Sequence, residues 1–136
     1  MQAPQRILVV DDQESMRLLL CSALRALGYA EVLTAVNGAE ALKIARGRII
    51  DLVLLDVEMP VMNGFDTLKA MREDVDLSAL RIIMVTGRAD SNFVRAIAPL
   101  RPSGYLVKPV TAVAIKAAID RAFGQAAPPG GDAKSA

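Results

Sequence analysis

The 136-residue sequence contains no histidine. Imidazole is the usual general base near neutral pH and the commonest transition-metal ligand, so Ser-His-Asp, Cys-His and His-metal sites are all excluded. A single cysteine, Cys21, allows no internal disulfide and fits a reducing compartment; its simplest reading is a small buried apolar side chain. Sixteen Lys and Arg against fifteen Asp and Glu leave a formal charge of +1, without the basic excess that phosphate neutralisation demands, so nucleic acid is not expected as a direct partner. Long apolar runs are missing as well. Near the start, residues 7–10 (ILVV) meet Asp11 and Asp12 after four positions, too few for a signal-peptide core or a membrane span. A cytoplasmic protein that does not insert into membranes is the expectation.

Hydrophobic residues nevertheless make up 53% of the chain, ample for one core in a chain of one-domain length. They fall into short runs bounded by turn signals, alternating with segments of helical period, the pattern of a parallel sheet covered on both faces. The run at 7–10 is followed by Met16, Leu19, Leu20, Ala23, Leu24 and Leu27 at helical steps, stopped by Gly28. A strand at 31–35 leads through Asn37-Gly38 to a short helix with Ala41, Ile44 and Ala45, closed near Gly47. Residues 52–55 form a buried strand delivering Asp56; Pro60 and Asn63-Gly64 then turn the chain into a helix with Leu68 and Met71. Residues 82–85 form the next strand, closed by Thr86 and Gly87. A helix from about Asp90 to Ala98 is expected to stop at Pro99. A last strand at 105–107 ends at Lys108-Pro109, and a final helix carries Ile115, Ala118, Ile119, Ala122 and Phe123 up to Gly124. Five strand and helix pairs imply an open, doubly wound α/β sheet, because a closed eight-fold barrel needs roughly 250 residues. The folded unit is expected over residues 5–124. Residues 125–136 (QAAPPGGDAKSA), small, polar and rich in Pro and Gly, read as a mobile tail.

In open parallel sheets the ligand site lies beyond the carboxyl ends of the strands. Those ends carry Asp11 and Asp12, Asp56, Thr86 and Lys108, so three carboxylates, a hydroxyl and an ammonium converge on one rim. Three clustered carboxylates must protonate or share a cation, and an oxygen-only donor set points to magnesium. A phosphoryl group would then be held between the metal and the pair Lys108 and Thr86. A carboxylate can accept a phosphoryl group as an acyl phosphate, and Asp56, alone at a central strand end, is best placed, although position alone does not decide between Asp56 and Asp12.

The segments ILVVDDQESMR, LVLLDVEMPVMNGFD, IIMVTG and YLVKP resemble the four motif blocks of the receiver domain of two-component response regulators, over about residues 6–123. The resemblance implies a flavodoxin-like, three-layered fold with five parallel strands and five helices. It implies phosphorylation of Asp56, and magnesium held by Asp12, Asp56 and the backbone carbonyl of Glu58, with Asp11 acting mainly through a bound water. Thr86 and Lys108 match the family's phosphate-contacting hydroxyl and lysine, Tyr105 matches its aromatic switch position, and Lys108-Pro109 its cis peptide.

On that resemblance the chain would be a stand-alone regulator, switching its contacts with another protein through the face of the fourth helix, fifth strand and fifth helix. With no histidine of its own, it would take its phosphoryl group from a histidine kinase, a phosphotransfer protein or a small acyl phosphate. It would not be an enzyme beyond magnesium-dependent self-phosphorylation and autodephosphorylation. An aspartate-dependent phosphotransferase and a pseudo-receiver acting as a pure binding module are the rival readings. Two departures stand out. Glu58 and Arg88, each two residues after a site residue, are opposite in charge, which would allow an ion pair across the mouth. Pro99 and Pro102 stand where the family more often shows alanine and glycine, which bears on the shape of the output surface.

Overall fold

A computed structural model of the protein describes residues 4–88 and 90–124, so the expected tail at 125–136 lies outside the described residues. Strands and helices alternate as β1 (Arg6–Val10), α1 (Glu14–Ala26), β2 (Glu31–Ala35), α2 (Gly38–Gly47), β3 (Leu52–Asp56), α3 (Gly64–Glu73), β4 (Arg81–Thr86), α4 (Ser91–Ile97), β5 (Gly104–Val107) and α5 (Ala112–Gly124). All strand pairs are parallel, in the order β2-β1-β3-β4-β5. The direction of winding reverses between β1 and β3, which opens a crevice at the carboxyl ends of those two strands.

Two-residue alternation within each strand builds two separate cores. Leu8, Val10, Val53, Leu55, Ile82 and Met84 face the layer of α2, α3 and α4, where they meet Ala41, Leu42, Leu68, Met71 and Ile97. Ile7, Val9, Leu52, Leu54, Ile83 and Val85 face α1 and α5, against Leu20, Leu24, Ile115 and Ile119. Full burial of each such side chain stabilises the fold by about 1.5–3 kcal/mol relative to exposure. Cys21 is buried in this second core, in the role of a small apolar residue.

Local chemistry sets the ends of the helices. Asn37, Asn63 and Asp90 each accept the backbone N–H three residues on, capping α2, α3 and α4. Gly28, at φ 100°, closes α1 in the left-handed conformation, and the Tyr29 N–H reaches back to the Leu24 carbonyl. The fourth helix stops before Pro99, as expected. The α-helical winding ends at Ile97, and Pro99 sits inside a further 3-10 turn, Ala98–Leu100. A proline in the first turn of that 3-10 element withholds an N–H that has no helical partner there, so one tighter turn can follow the stop. Arg101, left-handed at φ 55°, ends the turn.

Candidate phosphoryl-accepting site

Strand ends supply the polar groups and a glycine closes the helix layer over them. A Cβ at Gly64 would collide with the Asp56 carbonyl oxygen and lie 2.7 Å from the Val57 Cα, so only glycine lets the start of α3 sit on the end of β3. The Gly64 N–H donates to the Val57 carbonyl at 2.9 Å, which fixes that approach.

Asp56 is 1% exposed at the end of β3 and Asp11 is equally buried beyond β1, while Asp12 is exposed. Asp11, Asp12 and Asp56 each offer an oxygen, and the three lie within 4.8 Å of one another. The Gln13 N–H donates to Asp11 Oδ1 at 2.9 Å, whereas Asp11 Oδ2 and Asp56 Oδ2 are buried with no hydrogen-bond partner among the described residues. Buried carboxylate oxygens left without donors are costly, and an oxygen-only set of this kind fits a hard dication such as magnesium.

Lys108 reaches in from the turn after β5, its Nζ 2.8 Å from Asp56 Oδ1 and 3.9 Å from Glu58 Oε1. Its backbone N–H donates to the Thr86 carbonyl at 2.8 Å, and the Lys108-Pro109 peptide is cis, as the resemblance implied. Burial pushes the Asp56 carboxyl up to about 6, reinforced by Asp11 and Glu58 and opposed by Lys108. Burial also raises Asp11, against the Gln13 hydrogen bond and the Lys108 charge that favour its ionised form. For Lys108 burial works downward, but pairing with Asp56, Asp11 and Glu58 prevails and holds the ammonium above its ordinary value.

Thr86 is fully buried at the end of β4. Its hydroxyl donates to Glu58 Oε2 at 3.0 Å and accepts the Arg88 backbone N–H at 3.1 Å. The ion pair allowed between Glu58 and Arg88 does not form. Arg88 pairs with Asp90, two residues on, at 3.0 Å and lies over the Phe93 ring at 5.7 Å, while the Glu58 carboxylate turns inward to Thr86 and Lys108. Tyr105 is half-buried, edge-on to Phe93 with ring centroids 6.3 Å apart, and burial raises its phenol.

Every side chain expected at the site thus meets there except Tyr105, which lies on the adjoining α4 side. Glu58 was expected to contribute its backbone carbonyl and to allow a pair with Arg88, whereas its carboxylate bonds to Thr86 and approaches Lys108. A carboxylate two residues beyond a strand-end aspartate was the signal for its further role.

The family model for the response regulator receiver domain matches residues 7–120. The chain belongs to the response regulator receiver family. This receiver is 36% identical over 118 residues to chemotaxis protein CheY-3 of Vibrio cholerae serotype O1, an alignment covering 87% of this chain and 91% of that one. It is also 36% identical over 118 residues to chemotaxis protein CheY of Pseudomonas aeruginosa, covering 87% and 95%. Among solved structures it resembles Vibrio cholerae chemotaxis protein CheY4, with a TM-score of 0.82 and 33% identity over 88% of this chain and 99% of that one. Response regulator protein TrrA from Thermotoga maritima, solved in complex with Mg(2+)-BeF, gives a TM-score of 0.76 and 34% identity, covering 87% and 98%. The receiver is a CheY-like module of two-component phosphorelay signalling. Among the described residues no helix is long and apolar enough to cross a membrane.

Proposed function

We propose that Asp56 of this receiver accepts a phosphoryl group from a histidine kinase or phosphotransfer protein. The observation that carries this reading is one buried carboxylate with Lys108 2.8 Å from one oxygen, the other oxygen undonated, and two further aspartates at hand. An Asp56 oxygen bonds to phosphorus while the donor's phosphorus–nitrogen bond breaks, and the electron pair returns to the donor imidazole. Magnesium, when bound, neutralises charge on the phosphoryl oxygens; Asp12, Asp56 and the Glu58 carbonyl would hold it, with Asp11 acting through water. Lys108 meets a phosphoryl oxygen as the cation nearest to Asp56, and the Thr86 hydroxyl leaves Glu58 to donate to another. The capture of Mg(2+)-BeF by the 34% identical TrrA supports the assignment.

Movement of Thr86 towards Asp56 frees space beside Tyr105, which turns inward and alters the surface of α4, β5 and α5, where an output protein binds. The receiver unit is residues 5–124, working in the cytoplasm. Its only catalysis is on itself, uptake of a phosphoryl group and its hydrolysis. The test is incubation with acetyl phosphate and magnesium, followed by intact-mass and peptide mapping. One added phosphoryl group on Asp56, absent in Asp56→Asn and absent when magnesium is chelated, is the expected result. Modification of Asp12 with Asp56 untouched, or no uptake at all, would overturn it, the latter in favour of a pure binding module.

A further inference from the structure

The end of α4 remote from the site is tied down by one buried residue. Arg72 lies one turn beyond Leu68 on the inner face of α3, yet it is only 7% exposed. Its Nε donates to the Leu100 carbonyl at 2.8 Å and its Nη2 to the Arg101 carbonyl at 2.8 Å. Its Nη1 donates to the Leu80 carbonyl at 2.7 Å and the Ser78 carbonyl at 3.2 Å. One planar guanidinium thereby joins three segments: α3, the connection into β4, and the connection out of α4. The next residues are fastened too. The Ser103 N–H donates to the Ile82 carbonyl at 2.6 Å, and Ser103 Oγ accepts the Ile82 N–H at 3.1 Å.

The end of α4 nearest the site is held quite differently. The Arg88–Asp90 pair there is 60% and 51% exposed, a weak surface contact, and among the described residues nothing beyond its chain neighbours would lie within 4 Å of a Cβ at Gly87. The Arg88 N–H rests on the Thr86 hydroxyl, so any movement of that hydroxyl pulls directly on the backbone leading into α4. A helix drawn at one end and clamped at the other must rotate about the clamp.

We infer that Arg72 is a positioning residue that fixes the C-terminal end of α4, so that phosphorylation at Asp56 swings the N-terminal end of α4 as a lever. This rests on the phosphoacceptor reading above. The swing carries Phe93 across Tyr105, the ring it meets edge-on, while Leu100 to Ser103 stay in place.

Amide nuclear magnetic resonance of the full chain with magnesium, before and after beryllofluoride, tests the device. Shifts are expected at Arg88, Ser91, Phe93 and Tyr105, with the amides of Leu100, Arg101 and Ser103 and the Arg72 Nε–H unmoved. In Arg72→Lys, which keeps the charge but loses the fork, the shifts should spread into Leu100, Arg101 and Ser103 while beryllofluoride still binds within about twofold of the native affinity. Native Leu100, Arg101 and Ser103 shifting as far as Arg88 and Phe93 would overturn the lever, whether or not the lysine variant folds. So would a folded lysine variant with the native pattern. Absence of any response to beryllofluoride in the native chain would instead strike the phosphoacceptor reading, and the lever with it.

Discussion

The two edges of the sheet both bury charge, and they treat it in opposite ways. At the carboxyl edge Asp11 and Asp56 are held with oxygens that no described donor meets, and burial raises both. At the amino edge Arg72 is almost as inaccessible, yet its guanidinium is met by four main-chain carbonyls. The first arrangement costs stability that a bound cation would return. The second is complete within the fold. Two buried carboxylates short of donors would gain from a ligand, whereas the guanidinium of Arg72 needs nothing beyond the chain.

The largest expected effect breaks the satisfied edge. Arg72→Met takes away the guanidinium that donates to four carbonyls and should destabilise the protein by about 3–5 kcal/mol, read by urea denaturation with magnesium absent. A loss below about 1 kcal/mol would show that the carbonyls find other donors.

The unsatisfied edge should respond with the opposite sign. The folded Asp56 carboxyl sits at about 6, above its ordinary value of 3.8, so its contribution favours folding at low pH and is lost as pH rises through about 6. In chelator, Asp56→Asn should therefore gain about 1–3 kcal/mol over the native chain at pH 7, with the gain fading towards pH 4. Thermal melts from pH 4 to 8 measure this, and parallel curves for the two proteins would contradict the assignment. Magnesium should reverse the ranking, because it binds the folded native chain. Asp12→Ala should lose most of that magnesium response.

Glu58 lies between the two treatments, exposed but already bonded to Thr86 and near Lys108, the groups a phosphoryl oxygen would need. Glu58→Gln removes the negative charge that an incoming phosphoryl group must displace. Uptake from acetyl phosphate should rise by roughly fivefold, equivalent to about 1 kcal/mol of repulsion near the surface. Stopped-flow uptake at matched magnesium saturation tests this; a slower variant would mean that Glu58 assists transfer.

The smallest effects compare backbone strain at the two edges. Val61, beyond the end of β3, holds φ at 70°, and Arg101 holds 55° immediately before Pro102; both are left-handed conformations that a side chain disfavours. Val61→Gly and Arg101→Gly should each stabilise by up to about 1 kcal/mol, Val61 more, because it is β-branched and 87% exposed, so little packing is lost.

Much of the fold was legible because it rests on periodicities. The apolar strands at 7–10, 52–55 and 82–85 are buried on both faces, and the glycine and asparagine signals coincide with real caps. The strand-end residues Asp11, Asp12, Asp56, Thr86 and Lys108 converged because parallel strands deliver their carboxyl ends to one edge. What escaped depended on partners distant in sequence. Arg72 shares a helical face with Leu68, which could have flagged it, but the carbonyls it needs come from Ser78 to Arg101. The Glu58 side chain turns to Thr86 and Lys108, both distant from it in sequence, while Arg88 is taken by Asp90. At Pro99 the proline rule correctly placed the stop of α4, and only the 3-10 turn that follows it went unread.

The alternation of strand residues between two cores also bears on how such a module diversifies. Neighbouring residues on one strand answer to different helices, so exchanging Met84 disturbs the α2, α3 and α4 layer while Val85 holds the α1 and α5 layer. The sheet acts as a partition. A substitution that repacks one side leaves the other in place, while the surface of α4, β5 and α5 draws on both.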